Sequence, residues 1–86
     1  MVVKVLGNPY VDSIRDGVSF RMRIDSKKYN FLVSAESLAD LLKTREKFDL
    51  VAAYEKYIER IHNAAECAVF NGYEGDPIII TYVMIK

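Results

Sequence analysis

The sequence is poor in cysteine, histidine and proline and contains no tryptophan. Its one cysteine, Cys67, excludes an intramolecular disulfide. A cysteine-type zinc site is excluded as well, because it needs several ligands. A chain without disulfides suits a reducing compartment, so we expect a cytoplasmic protein.

Long apolar runs are also absent. The longest, residues 78–85, is far shorter than the roughly 20 residues that a membrane helix requires. The run at residues 2–6 is shorter than the about 7–15 residues of a secretory signal core. We therefore expect neither a membrane partner nor a secretory leader.

An excess of charge of one sign is missing too, since 12 basic residues balance 12 acidic ones. A neutral chain makes strong binding to nucleic acid or to anionic lipid unlikely, because both depend on summed positive charge. At 51% hydrophobic residues over 86 positions, the chain has the composition of one folded domain spanning residues 1–86.

The clearest local pattern is a β-hairpin. Residues 18–24 place apolar side chains at every second position, and residues 29–33 do the same after a short polar connection. Alternation with period two indicates half-buried strands. We also predict a short strand over residues 2–6, which ends at Gly7-Asn8-Pro9, followed by an irregular loop over residues 7–17.

Two helices follow in the prediction. Ser34 is the expected N-cap of the first, whose apolar stripe is Leu38, Leu41 and Leu42. Asp49 caps a second helix over residues 50–70, with apolar residues spaced 4, 3, 4, 3 and 4 apart. The run at residues 78–85 is rich in β-branched residues and predicts a last strand that is apolar on both faces.

These elements occur in the order β-β-β-α-α-β. That order predicts an α+β fold, with a mostly antiparallel four-stranded sheet and two helices. If both helices cover one face of the sheet, the apolar side of the last strand stays open on the other. We therefore predict a homodimer whose candidate interface is Leu32, Ile79, Val83 and Ile85. Alternatively, the first helix and the 7–17 loop cover that face within one chain.

The residues that could carry chemistry do not converge. Glu59-x-x-His62 with Glu66 has the spacing of metal ligands on adjacent helical turns. The chain has one histidine, however, and a binuclear site needs two such motifs. We predict no catalytic residues, no metal and no cofactor, and expect a non-enzymatic binding or regulatory module that is also open to a protein partner. The alternative of a small enzyme or metal protein would place its site near Tyr10, His62 and Tyr73.

The leading alternative is weak nucleic-acid binding by the hairpin. Two outward residues of its first strand and two at its turn form a basic patch: Arg21, Arg23, Lys27 and Lys28. A two-stranded ribbon with such charges can enter the major groove of DNA. Charged strands also deter aggregation through sheet edges, which is the alternative explanation.

The hairpin and first helix resemble a known family. Val18-x-Phe20, a polar turn, and the run Phe31-Leu32-Val33-Ser34-Ala35-Glu36-Ser37-Leu38-Ala39 are similar to the bacterial domain of unknown function 1488 family. The resemblance continues into a long helix with an isoleucine and alanine pattern and a final strand. It implies a small bacterial cytoplasmic protein and brings no known activity or catalytic residues. The strongly apolar last segment of this chain departs from the family pattern.

Overall fold

The structure, a computed structural model, describes residues 2–85. Three strands come first: β1 (Val3–Asp12), β2 (Gly17–Ile24) and β3 (Lys27–Ser34). Three helices follow: α1 (Ala35–Leu42), α2 (Leu50–Lys56) and α3 (Ile58–Phe70). The described part ends with β4 (Ile78–Ile80) and the one-turn helix α4 (Tyr82–Ile85). No helix within residues 2–85 is long and apolar enough to cross a membrane.

The α+β class and the four-stranded sheet are confirmed. The strands lie in the order β1-β2-β3-β4. Both β1–β2 and β2–β3 are antiparallel, but β3–β4 is parallel, so the sheet is mixed. The parallel pair follows from the chain path, because the three helices between β3 and β4 form a crossover connection.

The predicted hairpin is the β2–β3 pair, joined by the two-residue turn Asp25-Ser26. Asp25 adopts a left-handed conformation with φ 56°, as a tight hairpin turn requires. The predicted caps are also present. The Ser34 side chain accepts from the N–H of Ser37, and the Asp49 side chain accepts from the N–H of Ala52.

The predicted last strand over residues 78–85 is wrong beyond Ile80. β4 pairs with β3 only from Phe31↔Ile78 to Val33↔Ile80. The next partner would be Ser34, which is the N-cap of α1. Since β3 offers no further backbone partners, the chain leaves the sheet at Thr81 and forms α4.

Two other predicted boundaries are wrong. The predicted loop over residues 7–17 is wrong for residues 7–12, because β1 resumes pairing at Tyr10 after a bulge between Leu6 and Tyr10 and runs to Asp12; only residues 13–16 form a turn. β1 is an edge strand, where a proline is tolerated, and Gly7 has φ 64° in the bulge. The predicted helix over residues 50–70 is divided at Tyr57 (φ −112°, ψ 22°), whose hydroxyl donates to the Leu41 carbonyl of α1.

The core lies between one face of the sheet and the helices. From the sheet it takes Val18, Phe20, Met22, Ile24, Phe31, Val33, Ile78 and Ile80. From the helices it takes Leu38, Leu41, Ala53, Tyr54, Ile61, Ala64, Ala65, Ala68 and Ile85. The helices therefore lie on one side of the sheet, and its opposite side is uncovered by any helix.

Candidate binding surface on the uncovered sheet face

The uncovered side of the sheet, here called the open face, is assigned by strand register. Side chains that alternate with the core residues point to it. Three of the rows of cross-strand neighbours that result lie beside one another: Tyr10, Ser19, Leu32 and Ile79; Leu6, Arg21 and Asn30; and Lys4, Arg23 and Lys28. Polar and basic side chains dominate these rows.

Four cations project from the open face, and all four are exposed: Lys4, Arg21, Arg23 and Lys28. None of them forms an ion pair within residues 2–85. The four cations therefore concentrate positive charge on this face, although the whole chain is neutral.

The predicted basic patch is thus brought together in part. Arg21, Arg23 and Lys28 share the open face, whereas Lys27 alternates to the helical side. There its Nζ lies 5.4 Å from the centre of the Tyr29 ring. Lys4, which the sequence prediction missed, takes the fourth place because it pairs with Arg23.

A cavity of about 420 Å³ opens on this face beside the cations. Its polar lining comes from β1, the turn after it, β2, β3 and the segment before β4: Asn8, Tyr10, Arg15, Ser19, Arg21, Asn30 and Asp76. Its size lies within the about 300–1,000 Å³ range of small-molecule sites. Several convergent polar groups from five segments make it the best-formed candidate site on the open face.

Arg15 is held over the open face by the turn that follows β1. Its Nη1 donates to the Asp12 carboxylate at 2.9 Å, and the Asp12 side chain also accepts from the N–H of Arg15 at 3.0 Å. These bonds from the backbone and the guanidinium of Arg15 hold the pKa of Asp12 below its ordinary value. The remaining donors of the guanidinium stay free for another partner.

Arg21 and the Asn30–Asp76 pair form the other side of the cavity. A Cβ on Gly7 would lie 3.2 Å from Nη2 of Arg21, so the glycine of the β1 bulge makes room for the guanidinium. Asn30, the cross-strand partner of Arg21, donates from Nδ2 to Oδ1 of Asp76 at 2.7 Å. Asp76 precedes a cis bond to Pro77.

The four residues predicted as a dimer interface do not share one surface. Leu32 and Ile85 are buried, and Ile85 belongs to the core under the helices. Ile79 lies on the open face and is 45% exposed. Val83 is 72% exposed but lies on α4, which contacts α1 and α3 on the helical side. This dispersal follows from the early end of β4.

The three residues suggested for an enzyme site do not meet either. Tyr10 lines the open-face cavity, and Tyr73 lines a different cavity beside Tyr29. His62 lies on the helical side, with its ring 5.4 Å from the Phe20 ring and its Nε2 hydrogen-bonded to the Tyr54 hydroxyl.

His62 is thus part of the packing. Burial lowers its pKa below the ordinary histidine value. Burial also raises the pKa of Tyr54 to about 12, with a smaller contribution from the charge of Glu55. Both groups are therefore neutral at pH 7. No group of three or more histidine, cysteine, aspartate or glutamate side chains in residues 2–85 is arranged to hold a metal.

Neither a protein-family model nor a curated protein matches this sequence. Among solved structures, it matches the crystal structure of a protein of unknown function from the domain of unknown function 1488 family of Shewanella loihica PV-4. The match has a TM-score of 0.80 and covers 91% of this chain and 90% of the other. The chain therefore has the fold of the domain of unknown function 1488 family. At 11% identity, the likeness shows this fold alone and assigns no function to any residue.

Proposed function

We propose that this protein is a non-enzymatic binding module. Its open face binds single-stranded nucleic acid weakly. The observation that carries the proposal is a set of four exposed cations on one uncovered sheet face, none of which forms an ion pair with another described residue. The structural neighbour comes from a bacterium, which supports the bacterial origin that the sequence resemblance implies. The cytoplasmic location expected from the sequence stays a prediction.

The layout of the face suits a flexible, single-stranded partner. Lys4, Arg23 and Lys28 form one row across three strands, and Arg21 lies in the adjoining row. Tyr10 is 60% exposed beside them and offers a ring on which a base can stack. Positive charge that follows a backbone, together with an aromatic platform, is the usual means by which proteins bind single strands.

The same features argue against tight or duplex binding. The chain carries no net charge, so long-range attraction of a polyanion is small. A sheet face four strands wide is too broad for a major groove about 12 Å across. The expected complex is therefore weak, sensitive to salt and formed with unpaired strands.

Homodimerisation stays a prediction, and the sheet edges do not favour it. β4 provides only three residues for pairing with a second copy. The other edge, β1, is interrupted by the Gly7–Pro9 bulge, and proline lacks the N–H that a new strand would need. Bulges and prolines on edge strands oppose association between sheets. With the open face polar, we propose the monomer as the binding species.

The proposal is tested by fluorescence anisotropy with a labelled 12-nucleotide uridine oligomer at low salt. R23Q/K28Q removes a cross-strand pair of open-face cations and is expected to weaken binding several-fold. The matched control is R45Q/K47Q, which removes the same two residue types from exposed positions in the segment between α1 and α2. No binding by the wild type, or equal weakening in both variants, would refute the proposal.

A further inference from the structure

The open-face cavity differs in its chemistry from the neighbouring row of Lys4, Arg23 and Lys28, here called the cationic row. The row offers only positive charge, whereas the cavity sets one carboxylate, Asp76, among the donors Arg15, Arg21 and Asn30. A site built for phosphate alone gains nothing from a carboxylate, since the two anions repel. The mixed lining matches a ligand that carries donors on one edge and acceptors on another.

Asp76 keeps capacity for such a ligand. Its Oδ1 accepts from Asn30, and this hydrogen bond orients the carboxylate in the lining of the cavity. An ionised carboxylate has about four lone-pair positions, so one hydrogen bond leaves the others available. Asp76 is exposed, and its water contacts are replaceable by two adjacent N–H donors.

The two arginines supply the opposite chemistry. Arg15 is restrained through one of its nitrogens by Asp12, and Arg21 is fitted into the space left by Gly7. Both guanidinium groups line the cavity with unused N–H donors suited to carbonyl and ring-nitrogen acceptors. Arginine contacts to O6 and N7 are the commonest specific contacts to guanine.

From this arrangement we propose that the cavity binds one unstacked guanine base of the single strand. Asp76 accepts from the N1–H and the exocyclic amine of the base, and an arginine donates to O6 or N7. Tyr10 provides a stacking surface at the rim. The inference rests on the proposed function, because the cationic row is what delivers the strand to the cavity.

The test uses 12-nucleotide uridine oligomers with one central substitution, measured by anisotropy with the full chain. Guanosine at the centre is expected to tighten binding about tenfold relative to uridine alone, which is within the range for a bidentate base contact. Inosine, which lacks the exocyclic amine, and adenosine, which lacks the N1–H, are expected to lose most or all of that gain.

The diagnostic variant is D76N. Its side-chain oxygen still accepts from Asn30, so the fold is expected to be unaffected. The amide cannot accept two donors as the carboxylate does, so the preference for guanosine disappears while binding to uridine persists or tightens.

If the wild type binds all four oligomers with equal affinity, the guanine site is refuted, but single-strand binding by the open face is not. A D76N variant that still prefers guanosine overturns it as well. If the wild type binds none of the oligomers, the proposed function itself is refuted.

Discussion

Salt dependence gives the sharpest quantitative expectation for the open face. Each phosphate neutralised on a single strand contributes about −0.7 to the slope of log K against log salt. Four cations are exposed and form no ion pair within residues 2–85: Lys4, Arg21, Arg23 and Lys28. Four phosphate contacts then give a slope of about −2.8. Raising NaCl from about 50 to 200 mM then weakens binding about 50-fold.

The double variant R23Q/K28Q removes two of these contacts. The slope is expected to fall to about −1.4, and the same salt step then costs only about sevenfold. Anisotropy titrations of the uridine oligomer at four or five salt concentrations measure both slopes.

R45Q/K47Q is the control, because it lowers the net charge equally but in the segment between α1 and α2. It is expected to keep the wild-type slope. A wild-type slope shallower than about −1, or a slope that changes equally in both variants, would show that the four cations do not act together on a phosphate backbone.

Three further expectations concern the fold and its assembly. Because burial lowers the pKa of His62 in the native state, the unfolded chain binds the proton more readily. The contribution of neutral His62 to the free energy of unfolding is therefore fully present at pH 7.5 and decreases as the pH falls below about 6.5. Thermal unfolding should show this decrease, and H62Q should abolish it. Gly17→Ala brings a Cβ into steric conflict with the Val33 carbonyl oxygen, which should lower the free energy of unfolding in urea by about 2 kcal/mol. An unchanged midpoint would contradict the close contact. Light scattering at micromolar concentration should give the monomer mass, and a dimer that I79K dissociates would instead support the interface predicted from sequence.

The parts of the fold that local patterns control were predictable. Alternation in residues 18–24 identified which side chains of β2 point away from the core. Ser34 and Asp49 cap helices as their chemistry suggests. These features depend on neighbours a few residues away, which a single sequence displays.

The errors arose where distant partners decide. β4 stops at Ile80 because β3 turns into α1 at Ser34, which no property of residues 78–85 reveals. After Ile80, Ile85 joins the core and Tyr82 and Met84 pack against it, whereas Val83 is exposed.

The candidate site depends on such long-range placement. The Asn30–Asp76 hydrogen bond joins residues 46 positions apart, and it requires the parallel register of β3 with β4. Lys4 belongs to the cationic row only because β1 pairs with β2. Within this surface, the two cations of β2 could be predicted from the alternating pattern alone.

The central claim is that the uncovered face of the sheet is where this protein binds its partner. Backbone amide chemical shifts, followed while the uridine oligomer is added, test it most directly. We expect the perturbed amides to cluster at Lys4, Tyr10, Arg21, Arg23 and Lys28, with α1 and α3 unaffected. Perturbations confined to the outer surface of the helices, or none at saturating oligomer, would contradict the account.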